Sequence, residues 1–205
     1  MATLSDKSTE REEAVQKATS KTTSADIYQL KITLRGIRPP IWRRVLVPAG
    51  ITLPKMHDLI ATVMGWHGGH MHAFRVGNTT YGEPDPQLED WMENEKRVRL
   101  SQIAPEVKSR FLYDYDFGDD WQHLIVVEKI LPAAEGQSYP VCITGKRACP
   151  PEDCGGPWGY AEFLEAIADP DHEEHANLLD WIGGEFDAEA FDLNRINTAL
   201  QSSRS

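Results

Sequence analysis

The sequence predicts an α+β fold with a mainly antiparallel sheet. Segments that alternate apolar and polar residues with a period of two cluster in the first two thirds of the chain. Apolar stripes with helical spacing dominate the last third, and Gly, Pro, Asn and Asp separate the predicted strands. Strands early and helices late indicate segregated elements rather than alternating β–α units, which defines the α+β class.

Two strands and a helix open the predicted domain. Residues 27–34 alternate strictly, two prolines then interrupt the strand, and a second strand is predicted over residues 41–47. A helix follows between Thr52, a typical N-cap, and Gly65, a typical stop. Its apolar stripe has the required spacing and consists of Met56, Leu59, Ile60, Val63 and Met64.

The centre of the sheet is predicted to be an antiparallel hairpin over residues 111–131. Aromatic residues alternate with Leu and Asp in its first strand, and its second strand is rich in β-branched residues. The loop length stays open. An even loop places Asp114, Asp116 and His123 on one face, whereas a three-residue loop pairs Tyr115 with His123 and sends the carboxylates to the other face.

The remaining elements follow from turn signals and helical stripes. A strand containing His70 and His72 is predicted to turn at Gly77-Asn78, and residues 83–96 form a polar loop. A rigid loop over residues 149–158 leads into a first C-terminal helix. Two more helices are predicted, over about residues 171–182 and from a cap at Asp187 to Leu200.

Length and composition indicate a globular domain with a polar tail. The 205 residues are 40% hydrophobic, without a run long enough to span a membrane and without a signal pattern, so the cytoplasm is the expected location and no membrane partner is expected. We expect residues 1–25 to form a disordered polar tail, residues 26–200 one domain, and residues 201–205 a short second tail. Three cysteines argue against a disulfide scaffold.

The charge is negative and unevenly distributed. The net charge of −11 argues against sequence-independent nucleic-acid binding, and residues 148–194 contain thirteen acids but no Lys or Arg. A basic stretch includes Lys31, Arg35, Arg43 and Arg44. These cations either decorate one sheet face or bind a phosphate-bearing or acidic partner. Any nucleic-acid binding is expected to be weak, and a protein partner with a basic surface fits the charge better.

The tip of the central hairpin is the first candidate site. Four carboxylates lie close together there, and their repulsion costs stability unless a cation or hydrogen-bond donors compensate. They could hold a divalent metal ion or act in acid–base catalysis, with Asp116, Asp119 and His123 as catalytic candidates. The alternative is a hydrogen-bonded turn anchored by Trp121.

Histidines and cysteines supply further candidate metal ligands. Alternation could present His70 and His72 on one face, although an isolated His-x-His pair is a weak signal. The full set of candidate ligands for a divalent metal ion is His70, His72, Asp114, Asp116, His123, Cys149 and Cys154. Aromatic packing is the structural alternative for the two histidines, and tight packing is the alternative for the cysteines.

The loop of residues 149–158, called the cysteine loop below, could also carry a nucleophile. Its glycines let backbone N–H groups gather at a helix start, which would lower the pKa of Cys154, whereas Glu152 and Asp153 oppose that effect. Because this loop and the hairpin tip are both polar and rich in turn residues, we expect them to meet in space.

Four stretches together closely resemble the plasmid pRiA open-reading-frame-three-like family. They are IRPPIWRRVLVPAGITLPKMHDLIATVMGW, HMHAF, YDYDFGDDWQH and CPPEDCGGPWGY, and the resemblance covers about residues 27–200. It implies an α+β fold but no activity, substrate or cofactor; some relatives are labelled as transposition accessory proteins. Any shared function should lie at the matching positions, namely Trp42, His72, Asp116, Gly118, Asp119, Trp121, His123, Cys149, Asp153, Cys154, Gly155 and Gly156.

The sequence therefore leaves two functions open. The first is a binding or interaction module, accessory to plasmid or mobile-element functions, whose candidate binding residues are Trp42, Arg43, Arg44, Trp121, Asp153, Gly155 and Gly156. The second is a metal-assisted hydrolase that acts on a phosphate ester or nucleic acid. Nothing in the chain completes a Ser-His-Asp, P-loop or HExxH signature.

Overall fold

A computed structural model describes residues 26–84 and 92–202, and its described part is built around an eight-stranded sheet. The strands are β1 (Asp26–Leu34), β2 (Trp42–Pro48), β3 (His72–Val76), β4 (Thr79–Gly82), β5 (Glu93–Asn94), β6 (Arg110–Tyr115), β7 (Trp121–Pro132) and β8 (Val141–Lys146). Their order is β5-β4-β3-β6-β7-β1-β2-β8, and only the β4–β5 pair is parallel. The predicted α+β class, mainly antiparallel sheet and central hairpin are confirmed.

The helices also follow the predicted distribution. They are α1 (Leu53–Met64), α2 (Leu100–Ile103), α3 (Gly156–Ala168), α4 (His175–Trp181) and α5 (Leu193–Ser202), with a 3₁₀ turn at Glu95–Arg97. Within the described residues, none of these helices is long and apolar enough to cross a membrane. The predicted tail of residues 1–25, half of the predicted polar loop (85–91) and residues 203–205 lie outside the described part, and the end of that loop forms β5 and the start of the 3₁₀ turn.

The central hairpin adopts neither of the two registers considered from the sequence. Tyr115 pairs with Trp121 and Tyr113 pairs with His123, so the connecting loop has five residues, 116–120. An odd loop places the aromatic residues and His123 together on the buried face, while Asp114 lies on the opposite face. The even-loop prediction of Asp114 beside His123 is therefore wrong.

Helix α1 covers the buried face of the sheet near the hairpin. Its buried residues include the predicted apolar stripe and also His57, which follows Leu53 by one turn. Gly65 ends the helix in the left-handed region at φ 91°, as its position predicted. Thr52 occupies the N-cap position, but its side chain makes no capping hydrogen bond.

Three local boundaries differ from the predictions. Strand β3 begins at His72, so His70 lies in the preceding loop rather than on a strand face with His72. Helix α4 has seven residues and none is buried, because the helix packs at the edge of the core. Asp187 does not cap the last helix; the Asp192 carboxylate accepts the Arg195 N–H at 2.9 Å instead.

Candidate functional site

Three loops meet at one end of the central hairpin and form what we call the three-loop junction. They are residues 65–71 after α1, the hairpin tip 116–120, and the cysteine loop. The Gly155 N–H donates to the Asp119 carboxylate at 3.1 Å, and the Trp66 indole donates to the Pro150 carbonyl at 2.9 Å. The hairpin tip and the cysteine loop are thus in contact, as predicted.

Gly156 is the point of closest approach between these two loops. Its φ of 70° is left-handed, and a Cβ there would collide with the Asp119 carbonyl group. Helix α3 starts at this point, and the N–H of its N-cap residue Gly155 donates to the Asp119 carboxylate. The anion that this helix start favours is therefore the protein's own Asp119 carboxylate.

Glu152 joins the cysteine loop to the other two loops. One oxygen of its carboxylate accepts from the Tyr115 hydroxyl at 2.5 Å, and the other accepts from the His67 backbone N–H at 2.9 Å and contacts the His67 ring. Burial by itself would raise the pKa of Glu152, but the hydrogen bonds from Tyr115 and His67 outweigh it and lower the pKa. Glu152 therefore holds the junction together as a carboxylate.

His70 lies between two carboxylates at the centre of the junction. Its Nδ1 is 3.5 Å from Asp116 Oδ2, and its Nε2 is 3.4 Å from Asp153 Oδ1. One ligand atom from each of His70, Asp116 and Asp153 lies within 4.8 Å of the other two. Within residues 26–84 and 92–202, these three form the one group of three or more His, Cys, Asp or Glu side chains with that geometry.

The charge around His70 is uncompensated by basic side chains. The hairpin tip contributes three carboxylates and the cysteine loop two, while none of the three loops contains Lys or Arg. Asp119 and Glu152 have hydrogen-bond donors, whereas within the described residues the ion pairs of Asp116 and Asp153 are with His70 alone. A cation is the natural complement of this arrangement.

A cavity of about 560 Å³ opens beside His70. Its walls are Pro54, His57, Asp58, Gly68, Gly69, His70, Met71, His72, Glu83, Pro84, Met92 and Glu95. The described wall residues include three carboxylates and three imidazoles but neither Lys nor Arg. The cavity therefore has the size for a small ligand and a charge that disfavours polyanions.

Two stacked imidazoles line the inner wall of this cavity. The rings of His57 and His72 are parallel with centroids 3.7 Å apart, and His72 Nε2 is 3.0 Å from Glu95 Oε1. His57 contacts the Tyr113 hydroxyl at 2.7 Å through Nδ1, and burial followed by the nearby His72 lowers the pKa of His57. His57 is therefore neutral, and His72 with buried Glu95 is a potential acid–base pair.

A model of the family described as Plasmid pRiA4b ORF-3-like protein matches residues 26–195 of this chain. The chain belongs to this family. It is 40% identical over 178 residues to Uncharacterized protein y4hQ from Sinorhizobium fredii, an alignment that covers 86% of this chain and 91% of the relative. It is 42% identical to a crystal structure titled Protein of Unknown Function MM3350 from Methanosarcina mazei Go1, with a TM-score of 0.76, covering 83% of this chain and 97% of that one.

The pRiA4b ORF-3-like motifs converge on the three-loop junction only in part. The structure brings together Asp116, Asp119, Asp153, Gly155 and Gly156, with Trp121 buried beneath them against Trp66. His72 lies deeper, in the cavity wall.

His123 is buried below the junction and is not among its ligand group. It is fully enclosed by aromatic residues, and burial lowers its pKa to about 3. Its Nδ1 contacts the Tyr113 carbonyl at 3.3 Å, and its buried Nε2 has no hydrogen-bond partner among the described residues. A neutral, enclosed imidazole does not fit the acid–base role predicted for it.

The two cysteines of the loop are packed residues rather than activated thiols. Burial raises the pKa of Cys149 to about 11, and its sulfur lies 3.2 Å from Arg43 and 3.4 Å from the Met64 sulfur. Burial and the charge of Asp119 raise the pKa of Cys154 to about 12. Burial, Asp119 and Asp153 thus outweigh the helix start, so the structure favours the packed alternative for Cys154 over the nucleophile.

The basic stretch is engaged in internal contacts. Arg43 is 2% exposed and donates to the carbonyls of Val63, Trp42 and Lys146, so it is not accessible to a phosphate-bearing or acidic partner. Arg44 pairs with Glu128 at 2.6 Å and lies over the Trp42 ring. Asp114, a predicted metal ligand, pairs with Arg75 on the opposite face of the hairpin.

Four polar residues of this region were not predicted from the sequence as site residues. They are His57, His67, Glu95 and Glu152. His57 had a detectable signal, since it falls on the apolar stripe of α1. Glu95 had none, because it lies in an irregular polar segment whose burial depends on distant residues.

Proposed function

We propose that this protein binds a divalent metal ion through His70, Asp116 and Asp153 and uses it in hydrolysis of a small substrate. The observation that carries the proposal is the convergence of these three side chains, from three different loops, within 4.8 Å. One imidazole and two carboxylates suit zinc, manganese or iron, and three protein ligands leave a position open for water. The Asp153 side chain is 70% exposed, so it has room to rotate toward a shared ion.

The chemistry follows from the ligand set and the adjoining cavity. A metal ion bound here would lower the pKa of a coordinated water and polarise a substrate oxygen. The chain would contribute the His72–Glu95 pair to hold or transfer a proton, and neutral His57 would keep the His72 ring in place by stacking. The aromatic floor of Trp66, Tyr115 and Trp121 would fix the position of His70.

The cavity charge narrows the substrate class. With three carboxylates and no Lys or Arg in its described walls, the cavity would repel a nucleic acid and offers no side-chain clamp for a phosphate. The proposal therefore favours a neutral or cationic ester or amide over the phosphate ester or nucleic acid first considered.

Asp116→Asn is the sharpest test of the metal site. Asp116 has a φ of 56°, which Asn tolerates, and its Oδ1 accepts from Gly118 and Asp119 while Oδ2 faces His70. The amide can keep the turn while replacing the ligand oxygen. Asp120→Asn is a matched control, because it removes the same charge from a left-handed position in the same loop outside the ligand group.

We expect stoichiometric zinc or manganese in metal-reconstituted wild type and in Asp120→Asn. Calorimetric titration should show affinity lowered roughly a hundredfold or more in Asp116→Asn. The rate at which Asp116→Asn hydrolyses para-nitrophenyl acetate should fall in parallel with its metal affinity. Bis(para-nitrophenyl) phosphate, assayed in the same way, tests whether a phosphate ester is a substrate. Equal affinity in all three proteins, or no binding by wild type, would mean that His70 merely bridges two carboxylates as an ion pair.

An interaction module with a protein partner is the second candidate function. The observation that favours it is a set of exposed large apolar side chains, of which Trp158 is 85% exposed and Trp181 48%. Both belong to the acidic C-terminal helices, so a partner with a basic surface is the fitting class. An accessory role in plasmid functions rests on the family's description alone, and that description does not mention mobile elements.

A further inference from the structure

A groove between α3 and α4, called the α3–α4 groove below, lies beside the three-loop junction. Its volume is about 500 Å³, and it is lined by residues of both helices, of the segment before α4 and of the cysteine loop. This volume accommodates one or two large apolar side chains but not a whole helix.

The floor of the groove is apolar. Phe163 is buried, and the Trp181 ring stands edge-on to it with centroids 6.0 Å apart. Leu178 and Ala166 complete the floor, while Trp181 keeps about half of its surface exposed. Trp181 thus offers an aromatic face to any side chain that enters.

The rim of the groove is acidic. Four exposed carboxylates surround the floor, from Asp153, Glu162, Glu165 and Glu174. No Lys or Arg occurs anywhere in residues 148–194, and within the described part of the chain no ion pair joins these four carboxylates to Lys or Arg. Asp153 faces His70, but the three glutamates of the rim have no cationic partner among the described residues, and an apolar slot beside such negative charge recognises the reverse pattern.

We propose that the α3–α4 groove docks a basic amphipathic segment of a partner protein. One or two of the segment's apolar side chains fill the slot against Phe163 and Trp181, and flanking Lys or Arg side chains meet the rim carboxylates. This inference deepens the second candidate function and does not depend on the metal centre.

Two other occupants fit the groove less well. The chain's own residues 1–25 contain four acids and four bases and scarcely any large apolar side chain. A second copy docking by the same face would bring its own acidic helices against this rim, and like charges would oppose the contact. Charge complementarity therefore selects a basic partner segment.

The test uses a fluorescein-labelled synthetic amphipathic helix made of leucine and lysine, titrated with the full-length protein. The same peptide with glutamate in place of lysine is the charge-reversed control. The double variant Glu162→Gln with Glu165→Gln removes two rim charges. Its matched control, Glu173→Gln with Glu185→Gln, removes two exposed charges from the same acidic segment outside the groove.

We expect the lysine peptide to bind and to change the tryptophan emission of the wild type more than that of Trp181→Ala, and the glutamate peptide not to bind. The rim variant should bind the lysine peptide roughly fivefold more weakly than the control variant does. Trp181→Ala should weaken binding without changing the fold, since the ring is half exposed.

Equal weakening by the rim and control variants would mean that net charge alone attracts the peptide, which would overturn the inference. Absence of binding would do the same, and so would sedimentation showing a dimer that Trp181→Ala dissociates, because the occupant would then be a second copy. Asp116→Asn separates the two proposals: it should lose the metal but still bind the peptide.

Discussion

Replacing Gly156 by alanine should pull the hairpin tip and the cysteine loop apart. Gly156 has a φ of 70°, and a Cβ at this position would collide with the backbone carbonyl of Asp119. The position of the Cβ is set by the backbone of residue 156 and its partner is a backbone carbonyl, so no side-chain rotation relieves the collision. The loops must separate, and the Asp119–Gly155 hydrogen bond lies directly beside the contact.

Two costs add in this substitution. A non-glycine residue in the left-handed region costs about 1 kcal/mol, and forcing packed groups apart typically costs about 1–3 kcal/mol. We therefore expect the free energy of unfolding to fall by about 2–4 kcal/mol. Because Asp116 and Asp153 lie on the two separated loops, metal affinity at the junction should fall as well.

Gly183→Ala is the control that measures the cost of the left-handed backbone conformation without a collision. Gly183 has a φ of 78°, but a Cβ there would meet nothing within 4 Å. Urea denaturation of both variants should show Gly156→Ala to be less stable than Gly183→Ala by more than about 1 kcal/mol. Equal stabilities, or unchanged metal affinity in Gly156→Ala, would refute the close packing of the two loops.

Three further predictions concern the arginines of β2, the buried His123 and the binding of DNA. Arg43→Met should lower the free energy of unfolding by about 2–4 kcal/mol, because it leaves buried carbonyls unsatisfied. Arg44→Met should lower it by less than about 1 kcal/mol. Equal losses of the two variants in urea denaturation would contradict the burial of Arg43. His123 has a folded pKa of about 3 against an ordinary value of 6.5, so the unfolded state alone binds its proton and stability falls as the pH drops below 6.5. Between pH 7 and pH 5 the free energy of unfolding of the wild type should therefore fall by about 2 kcal/mol on account of His123. The His123→Leu variant should lack this contribution when its unfolding is measured at the same two pH values. Random duplex DNA should show no measurable binding at about 150 mM salt, because Arg43 is buried and Arg44 is paired with Glu128; a micromolar constant that depends on Arg44 would contradict this.

The sequence determined the fold class because local patterns carry it. Alternation over residues 27–34, the stripe of α1 and the glycine stop at Gly65 each reflect constraints that act within a few residues. The motif-level resemblance was likewise confirmed by the family match over residues 26–195. The contact between the hairpin tip and the cysteine loop was predictable from their shared turn chemistry.

Tertiary structure alone decided which candidates meet. The five-residue hairpin loop places Asp114 and His123 on opposite faces. Because side chains alternate along a strand, a change of register by one residue would have placed a different set of side chains on each face. The start of β3 at His72 separates His70, which joins the two aspartates, from His72, which stacks on His57. Such outcomes depend on side chains that are distant in sequence, and local patterns therefore contain no information about them.

Burial decided the chemistry of the remaining candidates for the same reason. Arg43 and Arg44 are neighbours with identical side chains, yet one is enclosed by carbonyls from α1 and β8 while the other pairs with Glu128 near the surface. Cys154 precedes a helix start that would favour its thiolate, but burial and Asp119 raise its pKa. A residue's type and its neighbours in sequence set what it can do, whereas desolvation and charges brought close by folding determine what it does.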